Sequence, residues 1–300
     1  MKTNHCLSFL IILLFSLGVN AQDQPGVDST GLPGDNFSLQ GALEIFQKAG
    51  SPEEFEKMIN TKNNHVNNLD LNEDGDIDYI KVIDNSEKDA HAFVLQAIIS
   101  EKESQDIAVI EIEKTGDASA VLQIIGDEDI YGEEVIVEPG DSEEDDSFIN
   151  NFNGDPAHGP AANYDHNNPG IVVNVWLWPG VRFIYAPSYV IWRSPWKWHH
   201  YPTWWSPWRP LRWHVYHPFV RPYHRHFAVV HTHRVINAHR VYAPVRVSSV
   251  AVRTRHATVV GHYRVTHTRT TISGPRGTRK TTTIKGPKGN KIKSTKVKRR

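Results

Sequence analysis

The sequence predicts an α+β fold: two short helices packed on one face of a four-stranded antiparallel meander, followed by a largely irregular, extended basic half. Three observations carry that expectation. Helix-start signals stand at Ser38 and Ser51-Pro52, the hydrophobic period changes to two from Asp78 onward, and beyond residue 170 prolines interrupt the apolar runs.

Charge divides the chain at the same place. All 34 Asp and Glu lie at or before Asp165, where seven Lys and Arg leave residues 22–170 at −27; the 25 Lys and Arg beyond residue 170 stand among no acids at all. Such a contrast points to a charged partner, or to contact of one half with the other.

Residues 1–21 read as a cleaved secretory signal, because Lys2 precedes an apolar run over 7–19 that ends in Val19-Asn20-Ala21 and is short for a membrane span. The expected location is the periplasm, the cell envelope or the extracellular space. Cys6 lies ahead of the apolar core, so the mature chain has neither disulfides nor thiolate ligands.

Residues 22–36, rich in Gly, Pro and Asp, read as disordered, and 37–140 as an acidic α+β domain. Ser38 caps a helix with Leu39, Leu43 and Phe46 on one face, ending near Gly50. Ser51-Pro52-Glu53-Glu54 supplies an N-cap, a proline at the first helical position and a capping-box Glu, for a helix that turns Phe55, Met58 and Ile59 inward. Runs at 79–83, 92–99, 107–113 and 121–125 are the four strands, and their short polar connections favour antiparallel pairing. Residues 141–170 open with Asp141-Ser142-Glu143-Glu144-Asp145-Asp146 and read as an acidic linker.

The sharpest chemical signal precedes the first strand. Asp70, Asn72, Asp74 and Asp78 stand at positions 1, 3, 5 and 9 of a loop with Gly75 at position 6 and the Asp76 carbonyl at 7, the oxygen-rich spacing that a calcium ion requires. The first half resembles an EF-hand loop, but position 12 is Lys81 and a strand follows in place of a helix. The spacing is closer to the Asp-x-Asn-x-Asp-Gly-x-x-Asp loops of integrin-type propeller repeats, in which the last Asp is the terminal carboxylate. That resemblance implies a structural calcium ion and, in a single copy, no propeller. The same residue types also favour a plain turn.

Residues 171–265 hold all nine tryptophans, between Trp176 and Trp213. Three readings stay open for them. They form a small local core, an interfacial patch for lipid headgroups, or a stacking surface for sugars or bases. For surface binding the candidates are Trp176, Trp178, Trp196, Trp198, Trp208, Arg209, Arg212 and Trp213. Twelve of the 17 histidines fall between His199 and His267, and pairs such as His224-x-His226 and His231-x-His233 could chelate a transition metal, although no carboxylate lies in this half to complete a site. Residues 241–265 alternate β-branched residues with Arg and His, which suggests exposed strands or an arm. Residues 266–300 repeat Gly-Pro-Arg-Gly as Gly-Pro-Lys-Gly and read as a disordered basic tail.

The layout as a whole resembles exported bacterial proteins that join a small acidic α+β domain to a Trp/Pro/His/Arg-rich C-terminal half, through the 70–78 loop, the Val175-Trp176 to Trp178-Pro179 stretch and the Gly-Pro-Arg-Gly tail. The resemblance implies no activity. The function expected is that of a non-enzymatic envelope protein that binds an anionic membrane surface or acidic polysaccharide, with a structural Ca²⁺ in its N-terminal domain. Nucleic acid is set aside because an exported protein meets other polyanions first. Two alternatives differ in class: a His-metal-dependent envelope enzyme, and a structural protein that self-associates by pairing acidic with basic halves.

Overall fold

The structure is a computed structural model that describes residues 29–140, 173–274, 277–285 and 291–299. The expected signal and acidic linker lie outside the described residues, as do residues 22–28 of the expected disordered segment.

Helix α1 (Leu39–Lys48) starts at the predicted cap, where Ser38 Oγ accepts from Gly41 N at 3.0 Å. Helix α2 (Pro52–Ile59) is capped by Ser51 Oγ, which accepts from Glu54 N. The reciprocal half of the capping box is displaced by one residue, because the Glu54 carboxylate accepts from Gly50 N instead of Ser51 N. Leu43, Phe46, Phe55 and Ile59 are buried, and Met58 packs at the margin.

The four predicted strands are present as β1 (Ile80–Glu87), β2 (Ala90–Ile98), β3 (Ser104–Gly116) and β4 (Ser119–Gly126), an antiparallel meander. The sheet continues past them. After a one-turn helix α3 (Glu128–Tyr131), β5 (Val135–Pro139) pairs with β4, and β6 (Phe227–Val230) comes from beyond the linker to pair with β5. The fold is therefore mixed helix and sheet with six antiparallel strands in sequence order, where four are expected. Five residues ending at Pro139, and four set among histidines, are too short to display a period.

The sheet is covered on both faces, not one. In front, Phe93, Leu95, Ile110, Ile112, Leu122 and Ile124 meet α1 and α2, with the Phe46 and Phe55 rings edge to face at 5.1 Å. Helix α4 (Pro179–Ile184) and the turn before it add Val175, Trp178, Val181 and Ile184 to that same core. Behind, Tyr242 of α6 (Ile236–Tyr242) covers Ala92, Val94, Val109, Ile125 and Ile136. Every residue of β2 is buried, as in a strand enclosed by two layers. The outer edge of β1 is also covered, since Asp84 N donates to Trp192 O at 2.9 Å and Ser194 N to Val82 O at 3.1 Å. That removes a free strand edge.

Three further expectations are corrected. Residues 29–36 are ordered, because buried Asp35 accepts from Ser29 Oγ, Thr30 Oγ1 and Gly31 N at 2.6, 2.7 and 3.0 Å. The basic half is not largely irregular: besides α4 and α6 it contains α5 (Trp213–Val220), and α7 (Val250–Thr266) occupies residues expected to be extended. Packing overrides the β-branched composition of α7, as Val252 enters the main core while Val260 and Tyr263 pack on Leu32. A Cβ at Gly132 (φ 77°) would stand 2.4 Å from the Tyr263 ring, so only glycine admits this contact. Finally, the tail expected to be disordered carries β7 (His267–Gly274), β8 (Gly277–Lys285) and β9 (Lys291–Arg299) in a separate antiparallel sheet. β7 ends at Gly274 and β8 begins at Gly277, the outer residues of the first Gly-Pro-x-Gly copy.

Candidate functional site

Charged side chains of the basic half are tied to carboxylates of the acidic half at several points. Arg246 grips Asp127 with Nε to Oδ2 at 2.6 Å and Nη2 to Oδ1 at 3.0 Å, and its Nη2 also reaches Asp129 Oδ2 at 3.0 Å. Burial pushes the Asp127 carboxyl up to about 6, and the Arg246 charge acts against that rise. Arg234 Nε donates to Glu138 at 3.0 Å, Val247 N to Asp106 at 2.8 Å, and Asn237 N and Ala238 N at the start of α6 to Glu113. Glu113 thereby caps a helix whose own N-cap residue, Val235, offers no side-chain acceptor. Part of the charge contrast in the sequence is thus satisfied within one molecule.

A further carboxylate is met by histidines in place of an arginine or a backbone amide. Glu111 points from β3 toward α6, fully buried, with Oε1 2.9 Å from His239 Nδ1 and Oε2 3.9 Å from His233 Nδ1. His233 Nε2 lies 3.9 Å from Glu134 Oε2, and the two imidazole centroids are 4.5 Å apart. Glu111 Oε2 and both His233 nitrogens are buried without a hydrogen-bond partner. Burial, reinforced by Glu134 and Glu113, pushes Glu111 up to about 9, and burial, with His239 adding to it, holds His233 below the ordinary histidine value. Of the expected histidine pairs, only His233 belongs to this group. Its companions Glu111 and His239 were not legible, since the missing carboxylate comes from the acidic half.

The 70–78 loop is wound around its own amides. Asp70 accepts from Asp74 N and Gly75 N at 3.1 and 3.0 Å, Asn72 Oδ1 from Asp74 N at 2.9 Å, Asp74 Oδ1 from Asp76 N at 2.9 Å, and Asp78 Oδ2 from Leu71 N at 2.6 Å. Gly75 at φ 90° and Glu73 at φ 58° make the tight turn. Asp76 is exposed and Asp78 buried; burial, then Asp70 and Asp74, drive Asp78 up to about 8. Arg255 of α7 holds the loop from outside, with Nη1 donating to Leu71 O at 2.8 Å. Three carboxylate oxygens of the loop do not come within 4.8 Å of one another; among the described residues, the group of Asp, Glu, His or Cys that does is Glu111, His233 and His239.

The surface candidates divide by burial. Trp178 is buried against Phe46, with ring centroids 6.4 Å apart, and is a core residue. Trp196, Trp198 and Trp208 are half-buried around Tyr79, Ile98 and Trp205, the local core that one reading anticipated. Trp176 stacks on Tyr185 beneath Lys114 Nζ, 5.4 Å from the ring, and Trp213 lies against His217 on α5. Arg209 and Arg212 are exposed. Outside the candidate set, Trp204 is exposed with Lys57 Nζ 5.8 Å above its ring, and Leu177 and Val190 are about four-fifths exposed at 79% and 81%.

A buried His91–Asp84 pair, with Nδ1 2.9 Å from Oδ2, is a second imidazole–carboxylate contact among the described residues. Tyr189 donates to the same Asp84 oxygen at 2.8 Å and the Tyr185 ring lies edge-on to His91 at 5.1 Å, which makes it part of the packing beneath 185–192. No family model, curated protein or solved structure matches the chain. No described helix is long and apolar enough to cross a membrane.

Proposed function

We propose that this is a non-enzymatic protein of the cell envelope that binds anionic surfaces, lipid headgroups first, through the outer face of its basic half. The observation that carries the reading is the exposure of the apolar side chains Leu177, Val190 and Trp204, and of Arg182, Arg209 and Arg212, in segments that contain no acid. Aromatic and aliphatic groups enter the headgroup layer, and cations are worth about 1 kcal/mol each near an anionic leaflet. The cations of the internal seam are already committed, so binding falls to the outward ones and to the acid-free tail. The full chain is expected to co-sediment with vesicles containing phosphatidylglycerol in 50 mM salt, to weaken as salt is raised, and to lose most of its binding in Arg209→Glu/Arg212→Glu. Equal binding to neutral vesicles at low salt would reject the electrostatic attraction. Capture by acidic polysaccharide and not by vesicles would move the proposal from lipid to glycan.

Within this reading the 70–78 loop is a structural calcium site in which Asp70, Asn72, Asp74, the Asp76 carbonyl and Asp78 supply oxygens. What supports it is the spacing of Asp70, Asn72, Asp74 and Asp78 around the Gly75 turn, close enough that the Asp70 and Asp74 charges add to burial in raising the Asp78 carboxyl above its ordinary value. Extracellular modules bind calcium at about 10⁻⁴ to 10⁻³ M, so 1 mM calcium should add about 0.4 to 1.4 kcal/mol and raise Tm by about 1 to 5 °C. Asp74→Ala should abolish the rise. Glu73→Ala should keep it, because Glu73 makes only a surface ion pair at 3.5 Å to Arg255. An identical Tm in calcium and in chelator would leave the loop as a turn.

A further inference from the structure

We infer that Glu111, His233 and His239 form a binding site for a divalent transition-metal ion, zinc being the best fit, built across the junction of the acidic and basic halves. The inference is independent of surface binding and of the calcium loop.

The ligand atoms lie within 4.8 Å of one another. A tetrahedral zinc ion with bonds of about 2.0 to 2.2 Å places its ligands about 3.3 to 3.6 Å apart, so the observed 2.9 Å and 3.9 Å separations bracket what is needed. Small side-chain rotations close the difference. The donor set is two imidazoles and one carboxylate, which suits zinc, copper or nickel and disfavours calcium and magnesium, whose ligands are oxygens.

Satisfaction of polar groups is the second and separate observation. Glu111 is fully buried, its side chain is 0% exposed, and its Oε2 has no partner. A buried carboxylate oxygen without a donor is costly, and the equally unpartnered Nδ1 of His233 stands 3.9 Å from it. A cation between them satisfies both. On the far side of the His233 ring, Nε2 faces Glu134 Oε2 at 3.9 Å. With the ring proton on Nε2, that carboxylate becomes the outer partner that orients a metal-binding imidazole and leaves Nδ1 free to coordinate.

The surroundings favour a positive ion. Glu113 and Glu134 add negative charge to Glu111, while the neighbouring Arg234 is bound to Glu138 at 3.0 Å. The His233 and His239 side chains are 25% and 35% exposed, so the site lies close to the surface although the His233 nitrogens and Glu111 Oε2 are themselves buried.

The test uses the full chain, stripped with chelator and titrated with Zn²⁺ by calorimetry, with Co²⁺ as an optical probe. The expected result is one tight site per chain, unaffected by millimolar Ca²⁺ or Mg²⁺, with the visible band of a cobalt ion in low coordination. Glu111→Gln and His239→Gln should each weaken that site by about ten- to hundredfold or more. His199→Ala/His200→Ala, which alters an exposed pair elsewhere, should leave it unchanged. Melting of each metal-free variant shows that loss of binding is not loss of fold; if Glu111→Gln does not fold, His239→Gln at the edge of the site decides. Zinc bound with undiminished affinity to His239→Gln, or no zinc bound by the wild-type chain at micromolar concentration, overturns the inference.

Discussion

A chain ending at Gly140 should not fold. It would retain five strands and all the elements recognisable as an acidic domain, yet its melting curve should lack a cooperative transition and the protein should bind a hydrophobic dye. Val175, Trp178, Val181, Ile184, Phe227 and Val229 would leave the main core, and the rear residues Ala92, Val94, Val109, Ile125 and Ile136 would lose Tyr242. At about 1.5 to 3 kcal/mol for each large side chain, the six core losses alone amount to about 9 to 18 kcal/mol. That equals or exceeds the whole net stability of an ordinary domain, about 5 to 15 kcal/mol. Adding residues 173–300 as a second chain should recover a soluble complex. A sharp two-state melt from the truncated chain alone would show that the basic half is an ornament on a self-sufficient domain.

The second large effect is expected at Glu56. This α2 carboxylate is buried and accepts four hydrogen bonds: from Tyr79 Oη at 2.8 Å, Val82 N at 2.9 Å, Trp192 Nε1 at 3.2 Å and Ser194 Oγ at 2.8 Å. Burial raises its pKa while those donors act in the opposite direction. Two of the four come from the acidic half and two from the segment that covers the edge of β1, so one side chain ties helix, sheet and basic half together. Glu56→Ala would strand buried donors, at about 1 to 3 kcal/mol for each one that water cannot reach, and should cost about 3 to 5 kcal/mol in urea denaturation. Glu56→Gln should recover only part, because its amide presents hydrogens where acceptors are needed. Glu54→Ala on the same helix, which exposes only Gly50 N, should cost about 1 kcal/mol. A loss below 1 kcal/mol at Glu56 would mean that its donors find water.

The helix starts and the first four strands were legible because their signals are local. Ser38 and Ser51-Pro52 act within a single turn, and β1 to β4 are joined by connections too short to allow any pairing except with the neighbour. The second covering layer left a trace that the meander reading did not use: β2, Ala-His-Ala-Phe-Val-Leu-Gln-Ala-Ile, is apolar at most positions on both faces, which a sheet with one wet face does not require. Helix α7 was hidden by its valines and threonines, whose local preference is outweighed by contacts with Leu32 and the core. The Glu111 group had no local signature at all. Its members come from β3, the turn after β6 and α6, and only the return of the chain to the rear of the sheet brings them together. The charge contrast was visible from the start, but its resolution into pairs such as Arg246 with Asp127 needed the fold.

The β5–β6 pairing sets the tempo at which this molecule can be made. Pro139 pairs with Phe227, so the sixth strand reaches its neighbour only after a long excursion of the chain, whereas each earlier hairpin closes at once. Contacts so distant in sequence slow folding, because the entropy of loop closure is lost before any of them forms. A chain synthesised from its N-terminus presents the meander first, with the back of the sheet and the β5 edge uncovered until α6 has been added. For that interval the acidic half is an open sheet of high negative charge, and its mutual repulsion is what keeps such nascent sheets apart. The −27 charge of residues 22–170 thereby supplies like-charge repulsion between molecules whose sheets are still uncovered.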